Sequence, residues 1–284
     1  MADPSKLFIN RELSWLEFNQ RVLDEAARES VPLMDRLFFL SVTGSNLDEF
    51  FMVRVGGLEL LRQAKVRKRD PAGLTPVKQL SLISERVTAM VSEQYALYRD
   101  TLLPELAQAG LSVVSPDALS VTERNSLHAI FGDRVLPVLT PMPLDGDGTV
   151  PLLHNLELYV GVRLAGRDGA EEDEFAAVPV GRGMDRLLAV DGVGQARVFV
   201  FAEDVVVHHI AELFPGRQVL EAAPLRVTRN ADMSVREEFA EDLHAVVRRP
   251  AAGIVRDISD HHRMALGRNG RSDGLGDGDR RVEK

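Results

Sequence analysis

A few polar side chains in this 284-residue sequence are of types and spacing that could do chemistry. Asn46 stands in the block SNLDEF. An amide carries both donors and an acceptor, so it can pair with the edge of a purine. At a helix start it would also lie beside free backbone N–H groups. From the residues alone a plain N-cap is the favoured reading, because Glu49 follows three residues later. Lys65, Arg67, Lys68 and Arg69 place four basic residues within five positions. Such a run is either a solvated helix end or an anion-binding patch. His208 and His209 are adjacent on a predicted helix, so their side chains diverge by about 100° and make no two-histidine metal face. Asp204, four residues earlier, suggests a helical pair with His208. His261 and His262 sit in an atypical tail. Asp145 and Asp147 form a DGDG turn without the rest of a calcium loop. No metal site is expected.

Familiar catalytic patterns are missing. There is no GxxxxGK[ST] phosphate loop, no HExxH and no GxSxG. Gly181, Gly183 and Arg186 fail the GxGxxG spacing at its last position. The absence of cysteine removes thiolate zinc sites, iron–sulfur clusters, disulfides and Cys nucleophiles together. Acidic residues outnumber basic ones 43 to 34, a net charge of −9, which disfavours a general nucleic-acid surface. No signal-peptide pattern opens the chain, and no run of about 18 apolar residues exists to span a membrane.

The elements that must position these groups fall into two textures. In the first, Ser14 with Glu17 reads as a capping box, and Leu13 with Phe18 as its hydrophobic staple. Trp15, Phe18, Val22 and Ala26 then recur at helical spacing. Pro32 ends that helix, and a short one follows over 33–40. Thr43, Gly44 and Ser45 read as a turn, with Asn46 capping the next helix. Leu47, Phe50, Phe51, Leu58 and Leu61 form its apolar face. Arg54 falls on that face and is expected to reach out from its edge to water. Thr75 caps a long helix over about 76–101, with Pro76 at its first position. Its core face is read as Val77, Leu80, Ser84, Val87, Val91 and Tyr98. Residues 1–108 are expected to form an antiparallel helical bundle.

After Gly110 the texture becomes α+β. Residues 111–114 are a short apolar run and 122–131 a short helix. VLPVLTPMPL holds too many prolines for a regular helix. LELYVGVRL, FAAVPV and ARVFVFAED read as strands, and 204–214 and 237–247 as helices. The expectation is a head domain over 109–249 with a mixed or antiparallel sheet. Residues 250–284, glycine-rich with mixed charge, are expected to be disordered.

These blocks, taken in order, resemble a known family. LFINRELSWLEFNQRVLDEA and SNLDEFFMVRVGGL are similar to the amino-terminal domain of the bacterial polyphosphate kinases that make polyphosphate from ATP. LTPMPLD, HNLELYVGVRL, FAEDVVVHHIAELFPG and LRVTRNAD resemble the domain that follows. The resemblance covers about residues 6–248. It implies a longer enzyme, homo-oligomeric and cytoplasmic or held in a peripheral membrane complex. That enzyme has two further catalytic domains that carry a phosphorylated histidine and the residues for Mg2+. It implies ATP and polyphosphate as substrates. It also implies that Asn46 faces the adenine base, as the one nucleotide-contacting residue in this stretch. None of the seven histidines matches a catalytic motif position. The resemblance stops near Arg249, so the expectation is an amino-terminal part that supplies an adenine-binding wall and has no activity alone. The rival expectation is a non-catalytic module that binds polyphosphate through residues 65–69, or a full-length kinase.

Overall fold

The computed structural model describes residues 7–144, 153–166, 172–181, 183–191 and 197–229. The expected helix over 237–247, the tail with His261 and His262, and the DGDG turn lie outside the described residues.

The first helix, α1 (Arg11–Ala27), begins one turn earlier than the Ser14 box suggests. Asn10 caps it: its Oδ1 accepts from the backbone N–H of Glu12 and Leu13 at 3.0 and 2.9 Å. The same amide donates to Asp70 and Gln79, at 2.7 and 2.9 Å. A cap that also makes two tertiary hydrogen bonds outcompetes a serine that can only cap. The buried stripe is therefore Glu12, Leu16, Asn19, Leu23 and Ala26, not the stripe headed by Trp15. Phe18 stays exposed, so the staple does not form.

The second helix, α2 (Leu33–Phe50), runs straight through the expected turn at 43–45. Thr43 is fully buried, and its hydroxyl donates to the Phe39 carbonyl one turn back at 3.0 Å. Beside Gly44, Gln94 of α4 donates to the Leu40 carbonyl at 2.9 Å. Tertiary contact here overrides a glycine's helix penalty of about 1 kcal/mol. A turn of π-helix at Phe51–Val55 joins α2 to α3 (Gly56–Gln63). The helix α4 (Pro76–Leu97) starts as expected, with the Thr75 hydroxyl accepting from Lys78 N–H and Pro76 in the first turn. It buries Gln79, Ile83, Val87 and Met90, while Val77 is exposed. A second π turn, Tyr98–Leu102, leads into α5 (Leu103–Gln108). The helices α1, α2, α3 and α4 enclose one apolar core around Leu16, Leu23, Leu47, Phe50, Ile83 and Met90.

The remainder is α+β, as expected. Strand β1 (Leu111–Val113) is followed by α6 (Val121–Ile130), whose Ser120–Glu123 capping box is complete. Then come β2 (Met142–Pro143), β3 (Leu158–Leu164), β4 (Glu174–Val180), β5 (Leu187–Val190), β6 (Arg197–Phe201), α7 (Ala202–His208), α8 (Ile210–Leu213) and β7 (Val219–Arg226). One sheet has the order β1-β6-β5, with β1 parallel and β5 antiparallel to β6. The other, β2-β4-β3-β7, is antiparallel throughout. β5 is a four-residue strand, and β7 carries Pro224, which an edge strand tolerates; both escape a pattern search. α6, α7 and the sheets bury a core around Leu127, Phe131, Val160, Val178 and Val205.

Gly161 leaves room for the Leu225 side chain of β7 to lie over β3: a Cβ there would stand 2.6 Å from it. Gly161→Val is expected to cost about 1–3 kcal/mol by overpacking. Thermal unfolding against wild type checks this, and an unchanged midpoint would show that Leu225 repacks freely.

Candidate functional site

An open groove of about 780 Å3 lies between α1 and the α2–π–α3 rod. Its lining includes Arg11, Glu12, Trp15, Asn46, Phe50, Val53 and Arg54. The π turn at Phe51–Val55 matters here: one extra residue per turn re-aims the side chains that follow it. Both Val53 and Arg54 line the groove.

Trp15 stacks on Phe50, with centroids 4.7 Å apart and planes 15° apart. Arg54 lies 5.9 Å over the Trp15 ring and donates to Glu12 at 3.1 Å. It does not simply reach into water; the indole and the carboxylate hold it. Glu12 is buried, and its other oxygen accepts from Arg11 at 2.7 Å. The groove thus offers an aromatic edge beside a neutralised carboxylate.

Asn46 is an interior residue of α2, so neither the N-cap role nor nearby free helix N–H groups apply. Its side chain is instead bound to α1. Asn46 Nδ2 donates to Asn19 Oδ1 at 2.9 Å. Asn19 is fully buried and donates its own Nδ2 to the Thr43 carbonyl at 3.1 Å. A backbone carbonyl can only accept, so it orients the Asn19 amide, which in turn orients Asn46. The Asn46 Oδ1 takes no protein hydrogen bond among the described residues and is left as an acceptor. The spacing of SNLDEF signals neither Asn19 nor this relay, because the two asparagines meet only when α1 packs on α2.

The other expected residues lie elsewhere. Lys65, Arg67, Lys68 and Arg69 are exposed in the loop after α3 and do not line the groove. Asp204 does not pair with His208. It is partly buried beside Glu203, where burial first, and the Glu203 charge second, push its carboxyl up to about 7 against the opposing pull of Arg186. His208 lies 3.6 Å from Asp117. His209 stacks on Phe131 at 4.3 Å and meets Glu212 at 2.7 Å. His128 on α6 comes up beside it, with ring centroids 5.3 Å apart. Sequence spacing could not show that His128 joins His209.

The two parts of the chain are joined at α2 and the π turn. Arg226 of β7 donates to Asp48 of α2 at 2.6 Å. Burial pushes the Asp48 carboxyl up, and Arg226 opposes that rise. Asn155 donates to the Met52 sulfur at 3.5 Å. Among the described residues, no helix is long and apolar enough to cross a membrane.

A helical amino-terminal part followed by an α+β part agrees with the comparisons. Residues 8–114 match the profile of the polyphosphate kinase N-terminal domain, and residues 122–251 that of the polyphosphate kinase middle domain. A polyphosphate kinase of Halalkalibacterium halodurans is 41% identical over 235 residues, covering 82% of this chain and 33% of that protein. One of Synechocystis sp. is 41% identical over 249 residues, covering 85% of this chain and 34% of that protein. The crystal structure of polyphosphate kinase from Porphyromonas gingivalis superposes with a TM-score of 0.70 at 28% identity, over 83% of this chain and 34% of that one. The chain belongs to the polyphosphate kinase family. It spans about a third of the length of these relatives.

Proposed function

We propose that the groove between α1 and α2 takes the adenine end of ATP, and that Asn46 reads the base there. The observation that carries this is the relay from Thr43 through buried Asn19, which holds the Asn46 amide in one orientation beside the groove. An oriented carbonyl oxygen accepts from an amino group, as the 6-position of adenine offers; a 6-oxo base lacks that donor. The Trp15–Phe50 stack supplies apolar area for a planar base.

In this reading the whole protein transfers the terminal phosphate of ATP onto polyphosphate, reversibly. The chain contributes through base recognition, with residues 1–108 as the helical domain and 109–249 as the head. Exposed Phe8, Ile9, Met34 and Phe38 suit contact with a second copy, as a homo-oligomer requires. Magnesium belongs to the complete enzyme in this reading and is not expected to draw ligands from this groove, where both Glu12 oxygens already accept from Arg11 and Arg54.

In a complete homologous enzyme, replacing the residue equivalent to Asn46 with alanine is expected to raise the apparent ATP constant. Loss of one such hydrogen bond costs about 0.5–1.5 kcal/mol, or about three- to tenfold. Turnover at saturating ATP should change less, because the base is remote from the transferring phosphate. Steady-state kinetics decides this, and an unchanged ATP constant would remove the contact.

A further inference from the structure

We propose that His128, His209 and Glu212 form a three-ligand site for a divalent transition cation of the zinc class. One ligating atom from each lies within 4.8 Å of the other two. The donors come from separate elements: His128 from α6, His209 from the junction of α7 and α8, and Glu212 from α8. Two imidazoles and a carboxylate suit zinc and its neighbours rather than magnesium, which demands oxygen donors. Three protein ligands with a remaining open position are a common zinc arrangement.

The geometry is partly preset. The His209 ring is held against Phe131, nearly parallel to it at 13°, and its side chain is only 10% exposed. Its Nδ1 already points at Glu212 Oε1, 2.7 Å away. Zinc bound by nitrogen at about 2.0–2.1 Å and oxygen at about 2.0–2.2 Å would separate these two atoms slightly and draw His128 in. His128 and Glu212 are exposed, so both can make that adjustment without repacking the core. Any proton shared along the His209–Glu212 contact leaves to solvent as the metal enters. Bound metal would tie α6 to α8 on one face of the α+β part. This site is separate from the groove beside Asn46 and does not depend on the nucleotide reading.

The test is calorimetric titration of ZnCl2 into the metal-stripped full chain, repeated with CoCl2, whose visible bands report coordination. The expected result is one saturable site with a dissociation constant of about 1–10 μM. His128→Ala and Glu212→Gln are each expected to weaken it by about tenfold or more. Both replace exposed side chains, and an unchanged far-ultraviolet spectrum checks that each variant is folded. His261→Ala/His262→Ala should bind as wild type, and millimolar MgCl2 should not compete. Wild-type affinity in folded His128→Ala and Glu212→Gln would overturn the assignment. So would loss of binding in the His261/His262 variant, or no heat and no cobalt bands up to 1 mM metal.

Discussion

Arg186→Met is expected to destabilise the fold by about 2–3 kcal/mol at pH 8. Arg186 donates to Glu203 at 2.6 Å through Nη2 and at 3.1 Å through Nε. Glu203 is fully buried, whereas the Arg186 side chain is 58% exposed. Removing one partner of a buried ion pair typically costs about 3–5 kcal/mol. The expected loss is set below that range because water reaches the guanidinium and already screens part of the attraction. Arg186 also lies 5.3 Å over the Phe201 ring, and methionine retains some of that apolar contact. Tyr98 of the helical part faces the same charges, and burial pushes its phenol up. The loss should therefore loosen the join between the helical and α+β parts. Urea unfolding with two probes, Trp15 fluorescence and far-ultraviolet circular dichroism, measures both effects. A midpoint equal to wild type would show that Arg186 contributes nothing.

Asp204→Asn is expected to work in the opposite direction and to depend on pH. Asp204 Oδ2 is buried without a hydrogen-bond partner. Its carboxyl is raised from 3.8 to about 7, chiefly by burial. A raised carboxyl binds its proton more tightly in the folded state than in the unfolded one. Stability from this group is therefore complete below about pH 4, falls as pH rises toward 7, and is flat above that. Asparagine keeps the shape and never ionises, so the variant should lack this slope. The expected difference is near zero at pH 4. It reaches about 1–3 kcal/mol in favour of Asn at pH 8, discounted from the full shift because the side chain keeps some contact with water. Urea midpoints for both proteins at pH 4, 6 and 8 check it. Parallel pH profiles would show that Asp204 titrates normally.

The fold class was legible because it rests on local signals. Thr75 and Pro76 start α4 where their chemistry requires, and the alternating run LELYVGVRL becomes β3. The change of texture at Gly110 coincides with the passage from α5 to β1. Local signals failed where a tertiary partner outbid them. Asn10 displaced Ser14 as the cap because its amide also reaches Asp70 and Gln79. The turn expected at 43–45 became helix because Thr43 is buried where α2 packs on α1. The stripes on α1 and α4 were displaced from the expected ones for the same reason. Periodicity shows that a helix has an apolar face, but which residues lie at its centre depends on what packs there.

The site divides along the same line. Residue type and block marked Asn46 as the polar group to watch, since an amide's donors and acceptor are intrinsic to the side chain. Its setting was decided by packing. Asn46 meets Asn19 from another helix, Arg54 is drawn onto Trp15 and Glu12, and His128 is brought to His209 from a different element. Each of these contacts joins residues far apart in the chain. Hydrogen bonds and ion pairs act over a few ångströms, so pairing of this kind exists only after the elements have docked, and spacing along the sequence carries no record of it.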